Sequence, residues 1–248
     1  MSVISARRSL ATAERVLRQL QHDPRTIALL VVVPAVLLVM MKWVFYGADD
    51  VFQRIGVPLL GIFPLTSMFL VTSITMLRER TGGTMERLLS GPVAKMDLLA
   101  GYAMAFALLA IVQSVVASVM AFGFLDLEVE GPIVAVIAAA ILNAVLGSAM
   151  GLFVSAFANS EFQAVQFMPA FLLPQLLLCG LLQPRDEMAW ILEAISYVLP
   201  MTYAYDALDH IATDGEITAG FLADIAVLVS VTIGALVLGA ATLRRRTE

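Results

Sequence analysis

The chain has 248 residues, 60% of them hydrophobic and only 14% charged, and a mean hydropathy of +0.90. A soluble domain has about 25% charged residues, so this composition cannot cover a water-facing surface. A net charge of −5 argues against nucleic acid as a partner, and one cysteine with two histidines leaves no disulfide, thiolate cluster or His-pair zinc motif.

The charges are also unevenly spread. Charge-free runs occupy 26–41, 55–77, 98–125, 131–160, 162–184 and 225–243. Each approaches or exceeds the ~18–20 residues a helix needs to cross the hydrocarbon core. Outer-membrane barrels require short alternating segments instead. The reading is an all-α integral membrane protein with six transmembrane helices in one domain, 1–248.

Residues 1–25 open the chain with Arg7, Arg8, Arg15, Arg18 and Arg25. Leu10, Ala13, Leu17 and Leu20 recur at helical spacing among them, predicting an amphipathic interfacial helix that ends at Asp23-Pro24. Its charged stretch and the apolar run after it are both too long for a signal peptide. Predicted spans follow at 26–46, 55–77, 97–125, 131–158 and 162–183. A mixed polar segment, 184–217, precedes the last span at 218–243. Gly147, Gly151 and Ser155 recur every fourth residue, which suits close helix packing against a neighbour that the sequence does not identify. Pro58, Pro64, Pro169 and Pro174 predict kinks in spans two and five.

With the N-terminus inside, the inner segments hold twelve Lys and Arg residues, against Lys42, Arg54 and Arg185 outside. Both termini are therefore expected in the cytoplasm. The span interiors offer Gln113, Asn143, Gln163, Gln166 and Gln175 but no ionisable pair, so neither ion coupling nor membrane-embedded catalysis is expected. No G-x-x-x-x-G-K-[ST] occurs, so any energy from ATP must come through another chain.

The loop 78–96 is the most informative soluble-facing segment. Gly82-Gly83 breaks the preceding helix, Thr84 can cap a short one, Glu86 sits in its first turn and Gly91-Pro92 stops it. Arginines alone would anchor topology, but a doubly capped helix suits a docking element.

The run Arg78 to Val93 resembles the R-E-R-x-x-G-T-L-E-x-L-L-x-x-P-V signature of type-2 ABC exporter permeases, with Met85 in place of Leu. Leu199 to Leu208 resembles the family's L-P-x-T-Y-x-x-x-A-L-R, departing at Asp209 where arginine is usual. The resemblance implies a multi-pass permease of the cell inner or plasma membrane. It would pair with a second permease, identical or homologous, and with nucleotide-binding ATPase subunits that hold ATP and Mg, while this chain holds no cofactor. Thr84, Met85, Glu86, Arg87, Leu88 and Leu89 would form the ATPase-coupling helix, 1–25 the connecting helix, and 184–217 outer re-entrant helices. Spans two and five would line the path between permeases, making Phe63, Met68 and Phe69, with Gln163, Gln166, Phe167, Phe171 and Gln175, candidates for its wall. Aromatic and methionine side chains there suit a lipophilic or amphipathic substrate among membrane lipids. The function expected is export by alternating access; the alternative is a non-transporting membrane scaffold or assembly factor.

Overall fold

A computed structural model describes residues 5–83 and 95–242, and over them the chain is helical with no strand. We number the helices α1 (Ala6–Gln21), α2 (Pro24–Val44), α3 (Asp49–Thr81), α4 (Lys95–Phe124), α5 (Ile133–Val154), α6 (Glu161–Leu178), α7 (Trp190–Ser196), α8 (Pro200–Thr213) and α9 (Ala219–Thr242). Among the described residues, five segments are long and apolar enough to cross a membrane: Thr26–Val44, Asp49–Thr81, Met96–Phe124, Ile133–Phe157 and Ala219–Thr242. The protein is a multi-pass membrane protein.

The fifth predicted span behaves differently. Its helix, α6, has 18 residues and includes Glu161, three glutamines and two prolines, so it is not among the five long apolar segments. The second predicted span is longer than expected. α3 has 33 residues and continues through both Pro58 and Pro64. At 1.5 Å per residue it reaches ~50 Å, well beyond a ~30 Å hydrocarbon core, so its ends must stand outside it. The hydroxyls of Thr66 and Ser67 donate to the carbonyls of Phe63 and Pro64 at 2.9 and 3.1 Å beside the second proline.

α3 is the central post, with α2, α4, α5, α6 and α8 all packed on it. Its closest neighbour is α5, and the small-residue repeat explains why. A Cβ at Gly147 would collide with the Leu65 carbonyl oxygen, and one at Gly151 would lie 2.5 Å from that of Phe69. The neighbour that the repeat left open is therefore α3 of the same chain. Lipid offers no hydrophobic drive for helices to associate, so this backbone proximity supplies dispersion contacts that larger residues would forbid.

Two polar groups stitch the helices at depth. The buried Asn143 amide of α5 donates to the Ala204 carbonyl of α8 at 3.0 Å, and Gln113 of α4 donates to Ser67 of α3. At the Asp126 end, Gln53 clasps the α4–α5 loop by donating to the Asp126 carbonyl and accepting from the Glu128 amide, both at 2.9 Å. Within that loop Asp126 stands at φ 51°, a left-handed conformation that aspartate tolerates better than most residues.

The α3–α5 contact has a direct test. Gly147→Val should lower the thermal stability of the solubilised protein by about 1–3 kcal/mol, the usual range for overpacking. Gly123 and Gly234 have open space around their Cβ positions, so Gly→Ala at either should be neutral or stabilising by up to about 1 kcal/mol through helix propensity. Equal melting temperatures for Gly147→Val and the parent would refute the packing role.

Candidate functional site

The predicted coupling residues Thr84, Met85, Glu86, Arg87, Leu88 and Leu89 lie outside the described residues. Both flanks of their loop are described, and each is tied into a charged collar. α3 ends at Thr81; Gly82 caps it by donating to the Arg78 carbonyl at 2.8 Å, and Gly83 turns at φ 71°, a conformation suited to glycine. α4 starts at Lys95 on the other side.

The triplet Arg78-Glu79-Arg80 at the end of α3 reaches three different elements. Arg78 forks onto Glu161 at the start of α6, donating from Nε at 2.8 Å and from Nη2 at 3.0 Å. Those bonds from Arg78 hold the exposed Glu161 carboxyl below its ordinary range. Glu79 is buried at 4% exposure and pairs with Arg15 of α1 at 3.3 Å. Arg80 donates to the Ser155 carbonyl just past α5. Consecutive helical residues project about 100° apart, so three in a row can face three neighbours.

α1 closes the collar. Its buried face is Ser9, Thr12, Ala13, Val16 and Leu20, while Leu10 points away at 56% exposure. The predicted stripe through Leu10 is thus rotated, because α1 packs on α4 as well as facing its surroundings. Gly101 of α4 makes room: a Cβ there would strike the Thr12 side chain. Arg15 also donates to the buried Tyr102 hydroxyl of α4 at 2.5 Å and lies over its ring, 5.7 Å from the centroid. At the start of α1, the Ser5 amide donates to Asp97 at 2.7 Å, and Arg8 stands 3.6 Å from the same carboxylate. Asp97 is fully buried. One helix therefore grips the last turn before the loop through Glu79 and the first turn after it through Asp97. Neither carboxylate's partner on α1 was apparent in sequence, since 64 and 89 residues separate the charged pairs.

The candidate path residues do not share one surface. Met68 and Phe69 are fully buried, Phe69 against α5, and Phe63 is half-buried. On α6, Gln166 and Phe171 are exposed, while Phe167 is half-buried and stacks edge-on to Phe171 with centroids 6.4 Å apart. Gln175 is buried and accepts from the Met201 amide at 3.3 Å. Gln163 accepts from the Asn159 amide at 2.9 Å, and Ser160 caps α6 by accepting from the Gln163 amide at 3.2 Å. The Ser-x-x-Gln spacing of a capping box was the signal that Gln163 serves the helix start.

The second signature stretch holds the far end of the bundle together. Thr202 donates to the Ser196 carbonyl at 2.7 Å and Tyr203 to that of Tyr197 at 2.8 Å, which folds α7 back onto α8. Asp206 pairs with Arg185 at 2.8 Å, and Arg185 lies over the Tyr197 ring. Asp209, where the signature has arginine, accepts from Tyr205 at 3.5 Å. His210 meets Asp224 of α9 at 2.9 Å.

The collar yields a prediction about Arg15. Removing one partner of a buried pair strands the other charge, at a cost of about 3–5 kcal/mol. Arg15 is one-third exposed, so Arg15→Met should fall at or below the low end of that range. Adding Glu79→Gln should restore part of the lost melting temperature. An additive double variant would show that the two residues are uncoupled. The Arg78–Glu161 link requires an ionised carboxylate whose folded-state pKa is lowered. It is therefore complete above the ordinary carboxylate range and lost only as pH falls through that lowered value.

The chain matches the family model described as ABC-2 type transporter over residues 9–212, from within α1 nearly to the end of α8. It is similar to the probable multidrug ABC transporter permease YbhS of Escherichia coli (strain K12), with 25% identity over 162 residues, 65% of this chain and 43% of that protein. Its likeness to the probable multidrug ABC transporter permease YbhR of the same organism is 22% over 175 residues, 70% of this chain and 47% of the relative. ABC transporter G family member 20 of Dictyostelium discoideum is 26% identical over 145 residues, 58% of this chain and 20% of that protein. The chain thus spans less than half the length of these relatives. With long apolar helices and both signature stretches inside the matched region, the chain belongs to the ABC-2 type transporter family.

Proposed function

We propose that this chain is the permease of an ATP-driven exporter, paired with a second permease and driven by separate nucleotide-binding ATPase subunits. The observation that carries this reading is the collar. Arg15–Glu79 and Arg8–Asp97 join α1 to both flanks of the 84–94 loop, so a push on that loop reaches α1, α3 and α4 together. Arg78 and Arg80 extend the same connection to α6 and the end of α5. That mechanical continuity is what a coupling element needs. Thr84 to Leu89 would seat in the ATPase, with Glu86 and Arg87 making polar contacts and Met85, Leu88 and Leu89 filling an apolar cleft.

In this reading the chain crosses the membrane six times, with α6 as the fifth span and both termini in the cytoplasm. The short helices between α6 and α9 dip back from the outer face. Re-entrant backbone is tolerated where protein covers it, and the hydrogen bonds of Thr202 and Tyr203 support such packing. ATP hydrolysis on the partners would rock two permeases about a path bordered by α3 and α6. The exposed Gln166 and Phe171 suit a lipophilic or amphipathic substrate, and the E. coli relatives are named as probable multidrug permeases.

The orientation can be tested by labelling in a Cys179→Ala background. A cysteine replacing Leu10 should resist an impermeant reagent in intact cells and react after permeabilisation, whereas one replacing Thr213 should react in both. External labelling at Leu10 would overturn the topology.

The coupling role has its own test. Glu86→Ala removes a charge-assisted contact worth about 1.5–3 kcal/mol when partly buried. The variant should insert at normal abundance yet lose both export and transport-stimulated ATPase activity, while Glu130→Ala in the α4–α5 loop changes neither. The pure chain should hydrolyse no ATP without its partner. Wild-type transport by both Glu86→Ala and Gly83→Pro would reduce the loop to a topological anchor.

A further inference from the structure

A cavity of about 400 Å³ lies between the end of α1, the first half of α2 and the second half of α3. Its volume falls within the ~300–1,000 Å³ of ligand sites. It shares only Arg78 with the collar, and none of the candidate path residues borders it.

The slot has two chemically distinct ends. Its walls are mainly apolar, with Leu29, Leu30 and Val33 on α2 and Leu70, Val71 and Ile74 on α3, interrupted by Thr75 and closed at the far end by Ser67, whose hydroxyl is held by Gln113 and the Pro64 carbonyl. Leu29 and Val33 are also exposed at 64% and 40%, so this wall borders the lipid-facing side of α2. The mouth is polar, formed by Gln19, Asp23, Thr26 and Arg78. Asp23 caps α2 by accepting from the Thr26 amide and hydroxyl at 3.2 and 2.6 Å. Arg78 spends Nε and Nη2 on Glu161, and its side chain is 59% exposed. A guanidinium has five N–H donors, so further donors remain for a ligand.

The depth matches one leaflet. From Arg78 at the mouth to Ser67 at the far end is eleven residues of α3, or ~16 Å at 1.5 Å per residue. Asp23 to Val33 on antiparallel α2 is ten residues, or ~15 Å. Half of a ~30 Å hydrocarbon core is the same length. An apolar-walled slot one leaflet deep, with the Arg78 cation beside the carboxylates of Glu161 and Asp23 at its mouth, is complementary to one acyl chain under a headgroup that carries both a phosphate and an ammonium. Arg78 would meet its phosphate and Asp23 its ammonium.

We propose that this slot binds a zwitterionic aminophospholipid, with one acyl chain between α2 and α3 and the headgroup at Arg78 and Asp23. With the orientation proposed above, the lipid would come from the cytoplasmic leaflet; the site itself does not rest on that orientation.

The test is photo-crosslinking in membranes containing the full chain, without ATP, so it is independent of transport and of the ATPase partner. The probe is phosphatidylethanolamine with a diazirine on one acyl chain. Adducts should concentrate on Leu30 and Val71. Val71→Phe and, separately, Ile74→Phe fill the slot and should cut that labelling about tenfold, equivalent to ~1.4 kcal/mol of affinity. Val32→Phe, on a residue of α2 that is 51% exposed and does not line the slot, should not. Unlabelled phosphatidylethanolamine should compete better than phosphatidylglycerol. Scoring only variants that reach normal membrane abundance keeps misfolding apart from loss of the site. Adducts spread over all exposed helices, labelling unaffected by both filling variants, or equal labelling by a diazirine fatty alcohol without a headgroup would each overturn the proposal.

Discussion

The close approach of α5 to α3 is the constraint on which the bundle depends. Helices in lipid gain no hydrophobic energy from meeting one another, so they must gain it from packing. Gly147 and Gly151 remove the side chains that would hold the two backbones apart, and the Leu65 and Phe69 carbonyls fill the space. Once that contact is made, α3 is buried on most sides, and the remaining helices are arranged around it. Asn143, on the same helix as the glycines, then brings α8 in through the Ala204 carbonyl.

Because α3 is longer than the hydrocarbon core, its last turn can hold charges that the membrane would not accept. Arg78, Glu79 and Arg80 sit there and divide among α6, α1 and the end of α5. Burying Glu79 and Asp97 would be costly if each were alone. Arg15, with Tyr102 beside it, and Arg8, with the Ser5 amide, offset that cost. The price of desolvating these groups is also what makes the collar specific: α1 reaches one oxygen of each carboxylate in the register along α4 where Gly101 lets Thr12 approach.

The opposite end uses weaker chemistry to a similar purpose. Short helices too brief to be stable alone are pinned by side-chain bonds to main-chain carbonyls, from Thr202 to Ser196 and from Tyr203 to Tyr197. Gln175 joins α6 to the start of α8. The two signature stretches thus do related work. One distributes charge among helices at the arginine-rich end, and the other distributes hydrogen bonds among short helices at the far end.

Sequence alone determined the helical membrane class, the position of the long apolar helices and the break at Gly82-Gly83, because composition and local conformational preference are local properties. It also made the permease resemblance legible, through two signature stretches in chain order. It could not say which helix the small-residue repeat faces, since any close neighbour satisfies that pattern; only the fold names α3. Nor could it turn Met68 and Phe69 into the bundle or rotate α1 so that Leu10 faces outward. Arg15 and Glu79 are 64 residues apart, and each read alone is an ordinary charge at the end of a helix. Their pairing, and the slot between α2 and α3, exist only once distant helices are brought together, because burial makes an unpaired charge costly and packing decides where space remains.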